Sequence, residues 1–186
     1  MAKLIYSMFT SLDGYITDAD GKLDWAAPDA EVHAFANELS RPVGTHLYGR
    51  RFYETMAFWE TDDATASGDP VMVDFATSWR AADKVVYSTT LAAPMSARTR
   101  IERAFDIDEV RRLKAAQDGD LAIAGAGLAA GAFRAGLVDE IHLFLMPVIV
   151  GGGTPALPGD LRVDLELLDE RRFASGAVYV RHSVRS

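Results

Sequence analysis

Cysteine is absent from this chain of 186 residues. Its absence excludes disulfide bonds, catalysis by a thiolate and zinc held by cysteine, and it fits a protein of the cytoplasm. The four histidines are scattered along the sequence without the spacing of metal ligands. We therefore expect no metal site.

Long hydrophobic runs are also missing. The longest apolar stretch, residues 141–150, is interrupted by His142 and Pro147. It is too short to cross a bilayer, which requires about 20 residues. The first residues lack the apolar stretch and the cleavage site of a signal peptide. We expect neither a membrane anchor nor secretion.

Positive charge is scarce, with 19 Lys and Arg against 27 Asp and Glu and a formal net charge of −8. The basic residues form no clustered stripe, so nucleic acid is not expected as a partner. An anionic ligand would have to be bound by a local basic group and by backbone amides.

The order of the elements predicts an α/β fold. The chain is 49% hydrophobic, which is enough for one domain over residues 1–186. Predicted strands alternate with helices, one of them opened by Pro28, as far as a long strand that ends at Gly151. Such alternation predicts a mostly parallel sheet with helices on both faces, a three-layer arrangement. Alternating apolar and polar residues after position 162 predict a C-terminal antiparallel hairpin.

The segment "DLAIAGAGLAAGAF", residues 120–133, is an apolar strand that turns into a helix at glycines. Its letters fit the dinucleotide-binding pattern G-x-G-x-x-G/A. That pattern normally lies in the first strand–helix unit, with an acidic residue about 20 positions later. Here it comes late in the chain and no acidic residue follows at that distance. The Rossmann interpretation is therefore rejected.

Three predicted strand ends carry ligand-binding chemistry together. One ends in Gly-Arg-Arg at residues 49–51, another in Ser-Thr-Thr at residues 88–90, and the third in the glycines of residues 125–127. If these ends are neighbours, they supply an arginine and hydroxyls for a phosphate and amides for a pyrophosphate. This combination suits NADPH. Arg103, after the next short strand, is interpreted as a surface charge.

A series of motifs resembles one family over nearly the whole chain. They are "SLDGYI", "LDW", "YGRRFYET", "VVYSTT", "LAIAGAGLAAGAF" and "GLVDEIHLFLMPVIVGGGTP". In this order they resemble the dihydrofolate reductase-like superfamily, and most of all the reductase domain at the C-terminus of bifunctional riboflavin biosynthesis proteins. The resemblance implies the dihydrofolate reductase-like fold, with NADPH bound across strand ends.

The resemblance also implies cofactor-binding residues. Residues 49–51 would face the adenosine phosphates, residues 88–89 the 2′-phosphate or the adenine side, and residues 125–128 the pyrophosphate. Phe9 and Ile16 would lie near the nicotinamide. The residues implied are Phe9, Ile16, Gly49, Arg50, Arg51, Ser88, Thr89, Gly125, Ala126, Gly127 and Leu128.

For catalysis the resemblance implies a mobile loop that begins at Asp13 and ends at Trp25, followed by one buried carboxylate on the next helix. The candidates for this carboxylate are Asp29 and Glu31, with Asp24 as a further one. The alternative is that Asp29 and Glu31 only stabilise the positive end of that helix. Burial beside the nicotinamide would distinguish these alternatives.

Two departures concern the substrate. The sequence has no zinc motif of the cytidine deaminase type, and the arginine-rich segment that would meet the ribose phosphate of riboflavin precursors is not evident. The expected activity is therefore hydride transfer from NADPH to a small heterocyclic, pterin- or pyrimidine-like, or carbonyl substrate. The alternative is a non-catalytic nucleotide-binding or sensing module. The apolar strand of residues 138–148 also predicts a homodimer.

Overall fold

Strands and helices alternate along residues 2–185, which the computed structural model describes. The strands are β1 (Leu4–Ser11), β2 (Tyr15–Thr17), β3 (Val43–Gly49), β4 (Asp83–Tyr87), β5 (Thr99–Glu102), β6 (Asp120–Ala124), β7 (Glu140–Met146), β8 (Thr154–Pro155), β9 (Leu165–Arg172) and β10 (Val178–Val184). The helices are α1 (Ala30–Ser40), α2 (Arg50–Met56), α3 (Pro70–Ala81), α4 (Ile107–Ala116) and α5 (Ala126–Arg134). Within residues 2–185, no helix has the length and apolarity that a membrane span requires.

One sheet of eight strands forms the centre of the molecule, in the order β5-β4-β3-β6-β1-β7-β10-β9. The pairs from β5 to β7 are parallel. Strands β10 and β9 continue the sheet in antiparallel pairs. The predicted mixed sheet with its C-terminal hairpin is confirmed. The strands β2 and β8 form a separate small sheet.

The two faces of the central sheet are covered by different helices. On one face Tyr6 meets Phe133 of α5, with ring centroids 5.4 Å apart. On the other face Phe35 of α1 packs against Phe144 and Tyr179, at 6.2 and 4.9 Å. Because successive residues of a strand point to opposite faces, the apolar strands β1 and β7 contribute to both cores. This confirms the predicted layers of helix, sheet and helix.

Two predicted boundaries were wrong. Helix α1 begins at Ala30, because Asp29 is its N-cap and accepts a hydrogen bond from the Val32 N–H at 2.9 Å. Pro28 therefore lies before the helix and does not open it. The long strand predicted to end at Gly151 stops at Met146. Pro147 has no N–H to donate to a neighbouring strand, so the ladder ends there.

A buried carboxylate on β7 connects the residue before β1 with β10, the last strand. Glu140 is only 4% exposed. It accepts hydrogen bonds from Lys3 Nζ at 2.6 Å and from Arg181 Nε at 2.8 Å, and His142 Nε2 lies 3.1 Å away. Burial by itself would raise the pKa of Glu140, but the hydrogen bonds from Arg181, Lys3 and His142 outweigh it and lower the pKa from 4.5 to about 2. The ionised form is therefore the one that the fold stabilises.

Replacing Glu140 by Gln should lower the free energy of unfolding by roughly 2 kcal/mol at pH 7, because Arg181 and Lys3 lose their charged partner. Because the pKa is lowered on folding, this contribution is present above about pH 4.5 and is lost as the pH falls toward 2. Urea unfolding of both proteins at pH 7 and pH 3 would measure the difference. Glu166→Gln, at an exposed pair with Arg185, is the control and should have little effect. An equal loss in both variants would contradict the role of the Glu140 network.

Candidate active site

The three predicted ligand-binding strand ends are neighbours at one edge of the sheet. Strands β4, β3 and β6 are consecutive. Gly49 at the end of β3 pairs with Tyr87 at the end of β4, and Tyr48 pairs with Ala124 at the end of β6. All three strands run in the same direction, so the segments that follow them meet at the carboxyl edge. Ligands of open α/β sheets bind at this edge.

The turns after β3 and β6 touch each other at two glycines. Gly125 has φ +99°, and a Cβ on it would lie 3.5 Å from the Gly49 nitrogen and 3.6 Å from Phe52 Cβ. Helix α5 begins at the next residue with no side chain capping its N-terminus. The first amides of a helix have no partner within it. The backbone N–H groups of Ala126, Gly127 and Leu128 are therefore directed toward the segment after β3.

The two arginines after β3 differ in the hydrogen bonds and ion pairs that they form. Arg50 donates to Glu54 Oε1 at 2.7 Å and to Thr90 Oγ1 at 2.5 Å, and so bridges to the segment after β4. Arg51 is exposed, and its guanidinium makes no ion pair or hydrogen bond with any other residue from 2 to 185. Arg51 is therefore the cation that can bind a phosphate without first giving up a partner.

Ser88 and Arg103 hold the turn after β4. The Ser88 hydroxyl accepts hydrogen bonds from the N–H groups of Thr90 and Leu91, at 3.2 and 2.9 Å. Arg103 Nη1 donates to the carbonyls of Ser88 and Leu91, at 2.9 and 2.8 Å. Arg103 is exposed, as predicted for a surface charge, and it also holds this turn. The sequence does not show that second role, because only the fold brings the end of β5 beside the turn. Thr89 is exposed, so its hydroxyl is open to solvent.

A gap opens between β1 and β6 on the same edge. Strand β1 pairs with β6 only from Leu4 to Tyr6, whereas it pairs with β7 as far as Ser11. Residues 7–11 therefore have no strand beside them on the β6 side. Phe9 lies in this stretch, and its place beside a bound nicotinamide stays a prediction. Ile16, on β2, packs against the larger core.

Asp13 binds the glycine-rich segment that follows β7. Its carboxylate accepts hydrogen bonds from the N–H groups of Gly151 and Val150, at 2.8 and 3.2 Å. A hydrogen bond from Ser11, together with these two amides, lowers the pKa of Asp13. The Asp13 carboxylate thus joins the loop after β1 to the segment after β7. Its predicted part in catalysis would be to position these two loops.

Neither Asp29 nor Glu31 is the buried carboxylate that the resemblance implied. Both are exposed. Asp29 caps α1, and hydrogen bonds from the Val32 N–H and the Ser175 hydroxyl lower its pKa. Glu31 pairs with Arg171 at 3.1 Å and accepts a bond from the Ala174 N–H at 3.3 Å. Both carboxylates stabilise the helix start and its contact with the hairpin, so this geometry favours the alternative structural interpretation.

Trp25 is the remaining predicted catalytic residue. It lies in a 3-10 helix, Asp24–Ala26, and packs partly buried against the aromatic core below α1. Its indole Nε1 is buried and has no hydrogen-bond partner within residues 2–185. Trp25 therefore supplies an unused donor close to β1, which this short helix contacts.

The opposite, amino-terminal edge of the sheet has two open hollows of about 380 and 370 Å³. His46 lines the larger one. Burial, assisted by the charge of Lys84, lowers its pKa to about 4, so the ring is neutral at pH 7. No group of three metal-binding side chains occurs among the described residues. The carboxyl edge is the better candidate site, because free amides and a free arginine meet there.

Comparison with known proteins identifies relatives over the full length of the chain. The family model of the RibD C-terminal domain matches residues 2–179. The uncharacterized protein YyaP of Bacillus subtilis (strain 168) is 27% identical over 180 residues, covering 96% of this chain and 93% of that protein.

Solved structures share the fold. A putative riboflavin biosynthesis protein from Shewanella sp. PV-4 has a TM-score of 0.76 at 20% identity, with 100% of both chains covered. Dihydrofolate reductase from Enterococcus faecalis, complexed with NADP(H) and RAB-propyl, has a TM-score of 0.68 at 14% identity, with 99% of this chain and 97% of that chain covered. The expected dihydrofolate reductase-like fold is confirmed.

Replacing Gly125 by Ala should destabilise the protein by about 1–3 kcal/mol, because Gly125 has φ +99°, a backbone conformation that residues with a side chain rarely adopt. Gly127→Ala is the matched control, since a Cβ there meets nothing within 4 Å and alanine favours the helix. Thermal unfolding of the two variants would compare them. Equal stabilities would contradict the backbone strain expected at position 125.

Proposed function

Because the chain belongs to the family of RibD C-terminal domains, we propose that it is an NADPH-dependent reductase that transfers a hydride to a small heterocyclic or carbonyl substrate. Family and fold are those of reductases. The dihydrofolate reductase with the same fold is complexed with NADP(H). The observation that supports the proposal most is the meeting of Arg51, Thr89 and the free amides of α5 at one edge.

The residues at this edge fit a phosphorylated dinucleotide. A pyrophosphate needs donors that approach closely, and the α5 N-terminus provides uncapped amides beside two residues without side chains, Gly49 and Gly125. The guanidinium of Arg51 and the hydroxyls of Thr89 and Thr90 would bind the adenosine phosphates. The protein carries a net charge of −8, so these local donors have to supply the attraction for an anion.

The gap between β1 and β6 is where the reacting ring would lie. NADPH supplies the hydride when it is bound. The unpaired backbone of residues 7–11 would hold the nicotinamide amide group, and Phe9 would provide an apolar surface. Asp13 would fix the loop beside this gap through Gly151 and Val150. Because Asp29 and Glu31 are exposed and engaged, the proton that accompanies the hydride would come from water.

One observation favours a second candidate function, a nucleotide-binding or sensing module without catalysis. Neither of the two principal candidate carboxylates, Asp29 and Glu31, is buried beside the gap. Such a module would bind NADPH without oxidising it in the presence of pterins, pyrimidines, quinones or flavins. Turnover with any of these compounds would decide for the reductase.

Replacing Arg51 by Ala should weaken NADPH binding by about tenfold, because a charge-assisted contact with a phosphate is lost. Fluorescence titration with NADPH would measure the dissociation constants. Arg162→Ala removes the same charge from a side chain that is 90% exposed in another loop, and it should bind like the unmodified protein. Unchanged affinity in the Arg51 variant, or no binding by the unmodified protein, would contradict the proposed cofactor site.

The proposed homodimer has a different structural basis from the one first expected. The apolar strand β7 lies between β1 and β10, so its composition is explained by burial within the sheet. Strand β9, in contrast, is an edge strand whose residues are all exposed, Leu165, Leu167 and Leu168 among them. Exposed apolar edge strands invite pairing.

Light scattering after size exclusion should therefore give twice the mass of the chain. Leu167→Glu should shift the protein toward the monomer, since a charge in an apolar interface is unfavourable. Leu157→Glu changes an exposed leucine outside β9 and should leave the mass unchanged. A monomeric unmodified protein at every concentration would refute the dimer.

A further inference from the structure

Phe9 presents one face of its ring to the gap between β1 and β6. Its other face is stacked on Phe144, with centroids 4.5 Å apart and planes at 17°. Phe144 belongs to β7 and pairs directly with Phe9, so it lies on the far side of β1 from β6. A ring stacked on one side toward β7 has its second face directed toward β6. Beyond Tyr6, β6 no longer accompanies β1, and Phe9 is partly exposed.

The support behind this ring is rigid and aromatic. Phe144 is 1% exposed and packs against Phe35 at 6.2 Å and Tyr179 at 5.0 Å. Trp25 packs against the same cluster from the loop that leads to α1. Aromatic rings held in this way keep a fixed orientation, since each can move only if its neighbours move. Phe9 is therefore a preformed flat surface.

The charged groups around this surface are already paired. Glu31 bonds to Arg171, whose guanidinium covers the rings of Phe35 and Phe173 at 4.8 and 4.9 Å. Asp13 is bonded to two backbone amides. Glu31, Arg171 and Asp13 are therefore already engaged, and placing an unpaired charge against the aromatic surface is unfavourable.

Exposed apolar side chains also follow β1 and β7 at this edge of the sheet. Leu12 follows β1 and Ile149 follows β7, and they are 63% and 71% exposed. The Leu12 N–H donates to the Val148 carbonyl at 2.8 Å, which keeps the two segments together. Exposed apolar side chains beside a concave site commonly contribute to ligand binding.

We propose that the stacked pair of Phe9 and Phe144 is the platform for the substrate and that the substrate is an uncharged, flat, conjugated carbonyl compound of the quinone class. This rests on the proposed reductase function. The quinone accepts a hydride and a proton from water and becomes a hydroquinone, while NADPH is oxidised to NADP⁺.

The test measures NADPH oxidation with 2-methyl-1,4-naphthoquinone, with a naphthoquinone that carries a carboxylate on a side chain, and with dihydrofolate. We expect kcat/KM for the neutral quinone to exceed both others at least about tenfold. NADPH binding is titrated separately by fluorescence. If NADPH binds and a charged compound is reduced as well as the neutral one, the substrate inference is overturned and the cofactor proposal stands. If NADPH does not bind, both are overturned.

Substitutions at Phe9 test the platform itself. Phe9→Leu should raise KM for the neutral quinone roughly three- to tenfold at saturating NADPH, because the flat ring is lost. Phe9→Tyr retains the ring and should restore KM. Phe105→Leu removes a ring that meets Tyr87 at 5.2 Å on the opposite face of the sheet and should leave KM unchanged. A Leu variant that is folded by circular dichroism and has an unaltered KM would refute the platform.

Discussion

The close approach of Gly49 and Gly125 is the constraint on which the candidate active site depends. The two glycines end adjacent parallel strands, and a Cβ at position 125 would be in van der Waals contact with the Gly49 backbone, 3.5 Å from its nitrogen. Because the turns touch, the first amides of α5 and the arginines after β3 lie at one edge. The third strand end, after β4, is joined to the same group through Arg50 and Thr90.

Most charged side chains near the site hold the fold together. Asp13 joins the loop after β1 to the segment after β7, Asp29 caps α1, and Glu31 ties α1 to the hairpin. The hydrogen bonds that Asp13 and Asp29 accept stabilise their ionised forms and lower their pKa values. These two carboxyl groups are therefore poor proton donors at neutral pH. Binding would then depend on Arg51, free amides and aromatic surface.

This distribution gives the two sides of the gap different chemical characters. The side formed by β3, β4 and β6 presents hydrogen-bond donors and a cation, which suit phosphates. The side formed by β1 and β7 presents aromatic and aliphatic surface. A site of this kind would obtain the affinity for its cofactor from electrostatics and the affinity for its substrate from stacking and apolar burial.

Much of the fold follows from the sequence, because hydrophobic periodicity and glycine-ended strands are local signals. They predicted the alternation of strands and helices, the terminal hairpin and the three strand ends that carry ligand-binding chemistry. Local signals also gave two wrong boundaries. Pro28 precedes α1 because Asp29 is the cap of that helix. Strand β7 ends at Met146 because Pro147 has no N–H to donate to a neighbouring strand.

Only the tertiary structure decided which side chains are free. Arg50 and Arg51 are equivalent in sequence, yet Arg50 is bonded to Glu54 and Thr90, whereas Arg51 has no such side-chain partner within residues 2–185. Arg103 is an exposed charge, as predicted, and in the fold it also donates to the carbonyl of Ser88. Whether a carboxylate is buried, or a ring has an open face, depends on strand order and on neighbours far apart in the chain. Residue type and spacing fix what chemistry a side chain can perform, and packing fixes whether that capacity is already used.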